Sequence, residues 1–132
     1  MVAINIRVIR PRRARKDTTV LLADLRADVR ATAANGQRWI ATYPPQTLTA
    51  TGYRRTGTLM RSWSHTVATT PDSIAGIVGS NPNIAPYNRV VQGSPQAKIM
   101  QTAGWRGVDA LKLTMQNELD RRVRASVRKF AR

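Results

Sequence analysis

The sequence predicts one α+β domain, in which an N-terminal helix and a long C-terminal helix accompany a small antiparallel sheet with a hairpin. Two segments, residues 18–41 and 108–130, repeat their apolar side chains every three or four positions, as amphipathic helices do. Between them, residues 63–80 alternate around a turn sequence, as a hairpin does. A length of 132 residues with 42% hydrophobic residues suits a single domain with its own core.

The chain starts with a short alternating segment and a run of basic residues. Apolar side chains occupy every second position of residues 2–9, which is typical of a short strand or of an extended arm. The sequence RPRRARK follows at residues 10–16. We predict that residues 1–17 form a basic N-terminal arm and that residues 18–132 form the α+β domain. The basic side chains of the arm are Arg10, Arg12, Arg13, Arg15 and Lys16.

An amphipathic helix is predicted over residues 18–41. Asp17 or Thr18 can cap its N-terminus, and Pro44 and Pro45 prevent it from continuing. Its apolar stripe, with spacings of three and four residues, consists of Leu22, Leu25, Val29, Ala33, Gly36 and Ile40.

The middle of the chain predicts a loop, a helical turn and a hairpin. Residues 44–58 are rich in Pro, Thr and Gly, and residues 59–62 fit the helical turn. Strands over residues 63–69 and 74–80 flank the turn sequence TPDS, which completes the hairpin. Residues 89–104 are ambiguous: a helical turn, a break and a short extended segment fit them.

The C-terminal segment predicts a helix of about 25 residues, about 40 Å long. Its apolar stripe consists of Val108, Leu111, Met115, Leu119, Val123, Val127 and Phe130. A second stripe is basic and runs along the last turns of the same helix. Its members are Arg121, Arg124, Arg128 and Arg132.

Charge is the dominant property of the composition. Lys and Arg number 22 against 7 Asp and Glu, which gives a formal net charge of +15. Such a charge opposes compaction and calls for an anionic partner, nucleic acid first, then an acidic membrane surface or an acidic protein. The absence of cysteine excludes disulfides, thiolate catalysis and Cys-ligated zinc. No apolar run approaches the ~20 residues that span a bilayer. The N-terminus also lacks the charged start, apolar region and cleavage site of a signal peptide, so we expect that the protein is not secreted.

The two basic ends of the chain have two interpretations. A solvated helix face with favourable helix-dipole contacts is one of them. The other is contact with phosphate, which the guanidinium fork of Arg serves well. We expect phosphate contact that is nonspecific and salt-sensitive, because no helix-turn-helix, zinc-finger or RNA-recognition pattern is present. The DNA-facing candidates are Arg10, Arg12, Arg13, Arg15, Lys16, Arg121, Arg124, Arg128 and Arg132.

Catalytic patterns are weak in this sequence. His65 is the single histidine, and the acidic residues are scattered rather than paired. Ser62 and Ser64 lie near it without a G-x-S-x-G elbow, and GYRRTG lacks the ending of a P-loop. We therefore expect no enzyme activity, no cofactor and no metal. The tryptophans at the ends of elements are predicted core anchors: Trp39, Trp63 and Trp105.

Two stretches resemble the small head–tail joining and tail-completion proteins of tailed bacteriophages. RTGTLMRSW at residues 55–63 is similar to the Thr-Gly turn, TG-x-L-x-x-S, that opens the sheet in that family. Residues 83–105 resemble its second signature, although Lys98 and Met100 stand where family members often have an acidic residue or a histidine. The resemblance covers about residues 55–130. The matching positions are Thr56, Gly57, Leu59, Ser62, Tyr87, Gln92, Gly93, Gln96, Gly104 and Trp105.

The resemblance implies a structural virion protein of the neck: a head–tail joining, tail-completion or tail-terminator subunit. It implies a homo-oligomeric ring, a hexamer or a dodecamer, assembled in the host cytoplasm around the passage of the double-stranded genome. Its partners are then neighbouring neck, portal-adaptor or tail proteins, with no membrane. Arg54, Arg55 and Arg61 beside the Thr-Gly turn are expected at a surface that faces DNA or an acidic neighbour. Subunit-interface or family-motif candidates are Thr56, Gly57, Leu59, Ser62, Tyr87, Gln92, Gln96 and Trp105.

A second interpretation stays open beside the neck protein. A small, nonspecific nucleic-acid-binding protein, monomeric or dimeric, also explains basic ends that grip phosphate directly. Ring formation separates the two, because only the neck subunit requires it. A third interpretation is an enzyme without a recognisable motif.

Overall fold

A computed structural model of the chain describes residues 2–7, 18–42, 58–96, 98–102 and 104–132. These residues form an α+β fold with a small three-stranded antiparallel sheet and a long C-terminal helix, as predicted. In chain order the elements are β1 (Val2–Arg7), α1 (Thr19–Ile40), α2 (Thr58–Ser62), β2 (Trp63–Thr69), β3 (Ser73–Ser80), α3 (Asn88–Gln92), α4 (Lys98–Thr102) and α5 (Val108–Ala131).

The sheet has the order β1-β3-β2, with both outer strands antiparallel to β3. The predicted hairpin is confirmed as β2–β3, which closes through a hydrogen bond from Thr70 N to Ser73 O of 2.8 Å. For the first residues of the chain the structure selects the strand, because β1 pairs along its whole length with β3. Val2 and Ile4 are buried in the core. The first part of the N-terminal arm is thus a strand of the domain.

The helices α1 and α5 pack against each other and cover one face of the sheet. They run antiparallel, because Asn35 Nδ2 donates to Glu118 Oε1 at 2.6 Å while the earlier Asp28 accepts from the later Ser126 Oγ at 2.6 Å. Their approach is close at Gly36, where an added Cβ would lie 2.8 Å from the sulfur of Met115. Glycine is therefore required at this crossing unless the Met115 side chain moves.

The apolar stripe of α1 is buried largely as predicted. Leu22 is the exception, since it is only half-buried. Thr32 joins the buried face because its hydroxyl donates to the carbonyl of Asp28 at 2.8 Å, one turn earlier. Thr18 precedes the helix, but its side chain makes no capping hydrogen bond. The buried stripe members are Leu25, Val29, Ala33, Gly36 and Ile40.

The stripe of α5 is buried at its start and leaves the core at its end. Leu111, Met115 and Leu119 are buried and Val123 packs at the edge, whereas Val127 is 45% exposed. Each step of four residues turns an α-helix about 40° beyond a full turn. Four such steps, from 111 to 127, rotate the side chain about 160° away from the core.

Candidate functional site

Gln92 lies at the centre of the family-motif residues and is 1% exposed. Its Oε1 accepts from Trp63 Nε1 at 3.0 Å, and its Nε2 donates to the carbonyls of Ile40 at 2.7 Å and Arg106 at 3.0 Å. Ile40 is the last residue of α1, where helix carbonyls lack intrahelical donors. One amide therefore caps α1 and joins it to β2 and to the segment before α5.

Arg106 adds a second cap at the same helix end. Its Nη1 donates to the carbonyl of Trp39 at 2.7 Å, and its guanidinium stacks over the Trp39 ring at 4.7 Å from the centroid. No sequence pattern indicates this role, because Arg106 lies between Trp105 and Gly107 in a segment without helix or strand periodicity. Trp39 packs at the edge of the core and Trp63 is buried within it.

Gln96, four residues later, also uses its side-chain amide to join two segments of backbone. Its Nε2 donates to the carbonyls of Val91 and Trp105, both at 2.8 Å. Trp105 packs with Met100 against a small second core. The buried residues of this second core are Leu59, Ala85 and Val91.

Two motif glycines have backbone reasons for their identity. Gly93 has no room for a side chain, because an added Cβ would collide with the carbonyl group of Arg89. Gly104 has a φ of 92°, a left-handed conformation that favours glycine. Of the elements expected in residues 89–104, the helical turn corresponds to α3 and the break follows it, but α4 stands where a short extended segment was expected.

A chain of hydrogen-bonded polar side chains lies next to this corner, and two of its members, Ser80 and Asn88, line a cleft. Asn88 Nδ2 donates to Ser80 Oγ at 2.9 Å, Ser80 Oγ lies 2.9 Å from Ser62 Oγ, and Ser62 Oγ donates to Leu59 O at 2.6 Å. Asn88 is 5% exposed, and its Oδ1 has no hydrogen-bond partner among the described residues. The cleft has a volume of about 370 Å³ and is also lined by Arg89.

The structure places the interface or family-motif candidates in three settings. Leu59, Ser62 and Gln92 are buried, and Gln96 and Trp105 are half-buried. These five make the contacts within the chain that are described above. Tyr87 is 45% exposed, so a neighbouring molecule can reach it. Two further candidates, Thr56 and Gly57, lie outside the described residues.

The basic stripe of α5 lies on the side of the helix away from its buried residues. All four members are exposed: Arg121, Arg124, Arg128 and Arg132. Arg124 pairs with Asp120 at 3.1 Å, but the side chains are 69% and 61% exposed, so the pair contributes little stability. Within the described part of the chain, Arg121 and Arg128 have no ion-pair partner.

The antiparallel helices bring the start of α1 towards the end of α5. Thr18, which precedes α1, therefore lies towards the end of the molecule that carries the basic stripe. The basic residues of the arm lie outside the described residues, as do Arg54 and Arg55. These arm candidates are Arg10, Arg12, Arg13, Arg15 and Lys16.

The described residues offer little metal-binding chemistry. Their His, Asp and Glu side chains form no group of three that could hold a metal ion. His65 is exposed, and its Nδ1 contacts the Gln37 side chain. In the same part of the chain, every helix is too short or too polar to cross a bilayer. Comparison with protein-family models, curated proteins and solved structures finds no match.

Proposed function

We propose that the protein is a structural subunit of the bacteriophage neck, which forms a ring around the passage of the genome. The observation that carries the proposal is the convergence of the motif residues. Trp63 lies in the first of the two stretches that resemble the family, and its Nε1 donates to Gln92 of the second at 3.0 Å. Leu59 of the first stretch and Trp105 of the second belong to the same small core. The two stretches are thus joined by a hydrogen bond and by a shared apolar cluster.

The basic face of α5 supports the same proposal. A ring repeats the exposed Arg121 and Arg128 around its axis, so that modest charge per subunit becomes a strong field along DNA. The partners of such a ring are the neighbouring portal-adaptor or tail proteins, and its location is the neck of the virion.

Negative-stain microscopy of the purified protein, alone and with its neighbouring neck proteins, tests the proposal. We expect one closed ring species, and a label on the chain should appear between head and tail of virions. A strict monomer in both conditions contradicts the proposal.

The second candidate is a small nonspecific nucleic-acid-binding protein. Arg121 and Arg128 favour it, because they are exposed and have no ion-pair partner in the part of the chain that the structure describes. Anisotropy titrations of double-stranded DNA at several salt concentrations separate the two. Tight, salt-sensitive binding by a monomer supports the second candidate, whereas weak binding by the free subunit favours the neck.

A further inference from the structure

The charge of the chain is distributed unevenly, and the sheet is nearly free of it. The sequence has 22 Lys and Arg and 7 Asp and Glu, yet Asp72 is the only charged residue among residues 62–88. That range contains all of β2 and β3. In β1, Arg7 at the end of the strand is the only charged residue. The sheet is thus a neutral surface on a molecule of formal charge +15.

The sheet face opposite the helices carries mostly small, uncharged side chains, and Arg7 at the end of β1 is the one charged side chain that the strands place there. Those on the outer strands are exposed and those on β3 are half-buried. The residues on this face are Ala3, Asn5, Arg7, Ser64, Thr66, Ala68, Ser73, Ala75, Ile77 and Gly79.

Among the described residues, the outer edge of β2 presents backbone groups without partners. Hydrogen bonds from Thr70 N to Ser73 O and from Asn81 N to Ser62 O fix which residues of the ladder face β3. Backbone groups in a strand alternate in direction, so the N–H and C=O of His65, Val67 and Thr69 point away from β3. Of the outward groups on β2, only the Trp63 carbonyl has a partner among the described residues, Gln37 Nε2 at 3.0 Å.

The outer edge of β1 opens into a groove. The same alternation across β3 directs the backbone groups of Ala3 and Asn5 outward. They face a groove of about 520 Å³ between β1 and α5. Its apolar lining comes from Ile4, Ile6, Leu119 and Val123, and its polar lining from Asn5, Lys112, Gln116 and Asp120. A groove between an edge strand and a helix fits an added extended strand.

We propose that copies of this chain join edge to edge, with β2 of one copy pairing in parallel with β1 of the next, beside α5. The pairing is parallel because both strands run antiparallel to β3 and a rotation about an axis along the strands keeps their direction. The lengths agree, since β1 has 6 residues and β2 has 7. The inference rests on the proposed function, because it names the interface that closes the ring.

Electrostatics identifies the occupant as a second copy. Two molecules of formal charge +15 repel wherever their basic faces meet, and the neutral sheet is where contact costs least. Natural edge strands are commonly protected by charged residues or proline, and β2, WSHTVAT, has neither. Head-to-tail pairing covers both edges of every copy, whereas a two-fold β2–β2 pairing leaves each β1 edge open.

Proline substitution tests each edge of the full chain separately. Asn5→Pro removes an outward N–H of β1, and Val67→Pro removes one of β2, while the hydrogen bonds to β3 stay available. Sedimentation over a range of protein concentrations, in salt that screens the net charge, measures assembly. We expect each variant to raise the dissociation constant about tenfold or more.

Lysine variants provide a second test in case the proline variants fail to fold. Asn5→Lys and Thr66→Lys place a charge on exposed positions of β1 and β2, and Thr102→Lys on exposed α4 is the matched control. We expect the two sheet variants to weaken assembly and the control to leave it unchanged. Circular dichroism checks that all variants keep the fold.

Mixing the two proline variants decides the direction of pairing. Each retains the edge that the other lacks, so an equimolar mixture should form a heterodimer that neither variant forms alone. Assembly of Asn5→Pro by itself, at the strength of the unmodified chain, overturns head-to-tail pairing.

Three further results also overturn the inference: a monomer at every concentration, assembly insensitive to all sheet variants, or amides of His65 and Val67 protected from exchange in the monomer. The last outcome means that another segment of the same chain covers the edge. If rings form and the sheet variants do not weaken them, the proposed interface is wrong but the proposed neck function is not contradicted. If assembly depends on the sheet edges but the protein is absent from virions, the neck function is wrong and the proposed interface is still supported.

Discussion

At the scale of the residue, three hydrogen bonds hold the side-chain amide of Gln92. Its acceptor and both its donors are used inside the protein, by Trp63, Ile40 and Arg106. A buried polar group without a partner costs about 1–3 kcal/mol. Removing this amide leaves the Trp63 N–H and the carbonyls of Ile40 and Arg106 without this partner at once. Its contribution to the free energy of unfolding therefore exceeds that of one ordinary hydrogen bond.

Gln92→Leu, which roughly preserves the side-chain volume, should lower the free energy of unfolding by about 2–4 kcal/mol. The exposed Gln101→Leu on α4 is the control and should stay within about 0.5 kcal/mol of the unmodified chain. Urea unfolding of the three proteins measures the difference. Equal stability of all three would show that water can replace the amide at this corner.

The sequence could place Gln92 in a motif but could not predict its burial. Its bond to the Ile40 carbonyl joins residues 52 positions apart, and the bond from Trp63 spans 29. Local periodicity carries no information about such partners, and glutamine is usually exposed. Asn88 and Arg106 were missed for the same reason.

At the scale of the element, the helices were predictable because their burial is periodic. The stripe of α1 and the first three turns of α5 lie in the core where the spacing of three and four predicted. The prediction failed at Val127, because a spacing of four drifts around the helix and an apolar side chain can face solvent. The boundary between core and surface on α5 therefore falls near Val123.

Two alanine substitutions on α5 measure this boundary. Leu119→Ala, at a position 8% exposed, should cost about 2–4 kcal/mol of unfolding free energy through lost burial and a cavity. Val127→Ala, at a position 45% exposed, should cost less than about 0.5 kcal/mol. Thermal or urea unfolding compares them. A large loss at Val127 would mean that a partner or another part of the chain covers this end of the helix.

At the scale of the whole molecule, charge and neutrality lie on different surfaces. The basic side chains of α5 face away from the core, and the sheet face opposite the helices carries a single charged strand residue, Arg7. If copies join through the sheet edges, the helix layers of all subunits lie on the same side of the ring wall. The basic stripe then either lines the passage or covers the outside of the ring. Substitutions that remove the positive charge, compared with ones that keep the charge but change the guanidinium geometry, can distinguish the two.

Arg121, Arg124 and Arg128 are the side chains for that test. Their replacement by Gln should leave stability within about 0.5 kcal/mol of the unmodified chain, because all three are exposed. Particles should assemble but retain or deliver DNA poorly, since nonspecific phosphate contact depends on summed charge and counterion release. Arg124→Gln alone should have the smallest effect, because Asp120 already holds that guanidinium at 3.1 Å.

Replacement of the same three residues by Lys is the matched control. A field along a DNA passage needs charge but no fork geometry, so the Lys variant should package and deliver DNA nearly as well as the unmodified protein. A bidentate contact to a carboxylate of a neighbouring neck protein needs the guanidinium fork, and Lys cannot replace it. Counting joined and unjoined particles by microscopy, together with the DNA that they hold, gives both measures. If the Gln and Lys variants both block the joining of head to tail, the stripe docks a protein on the outside of the ring and does not line its passage.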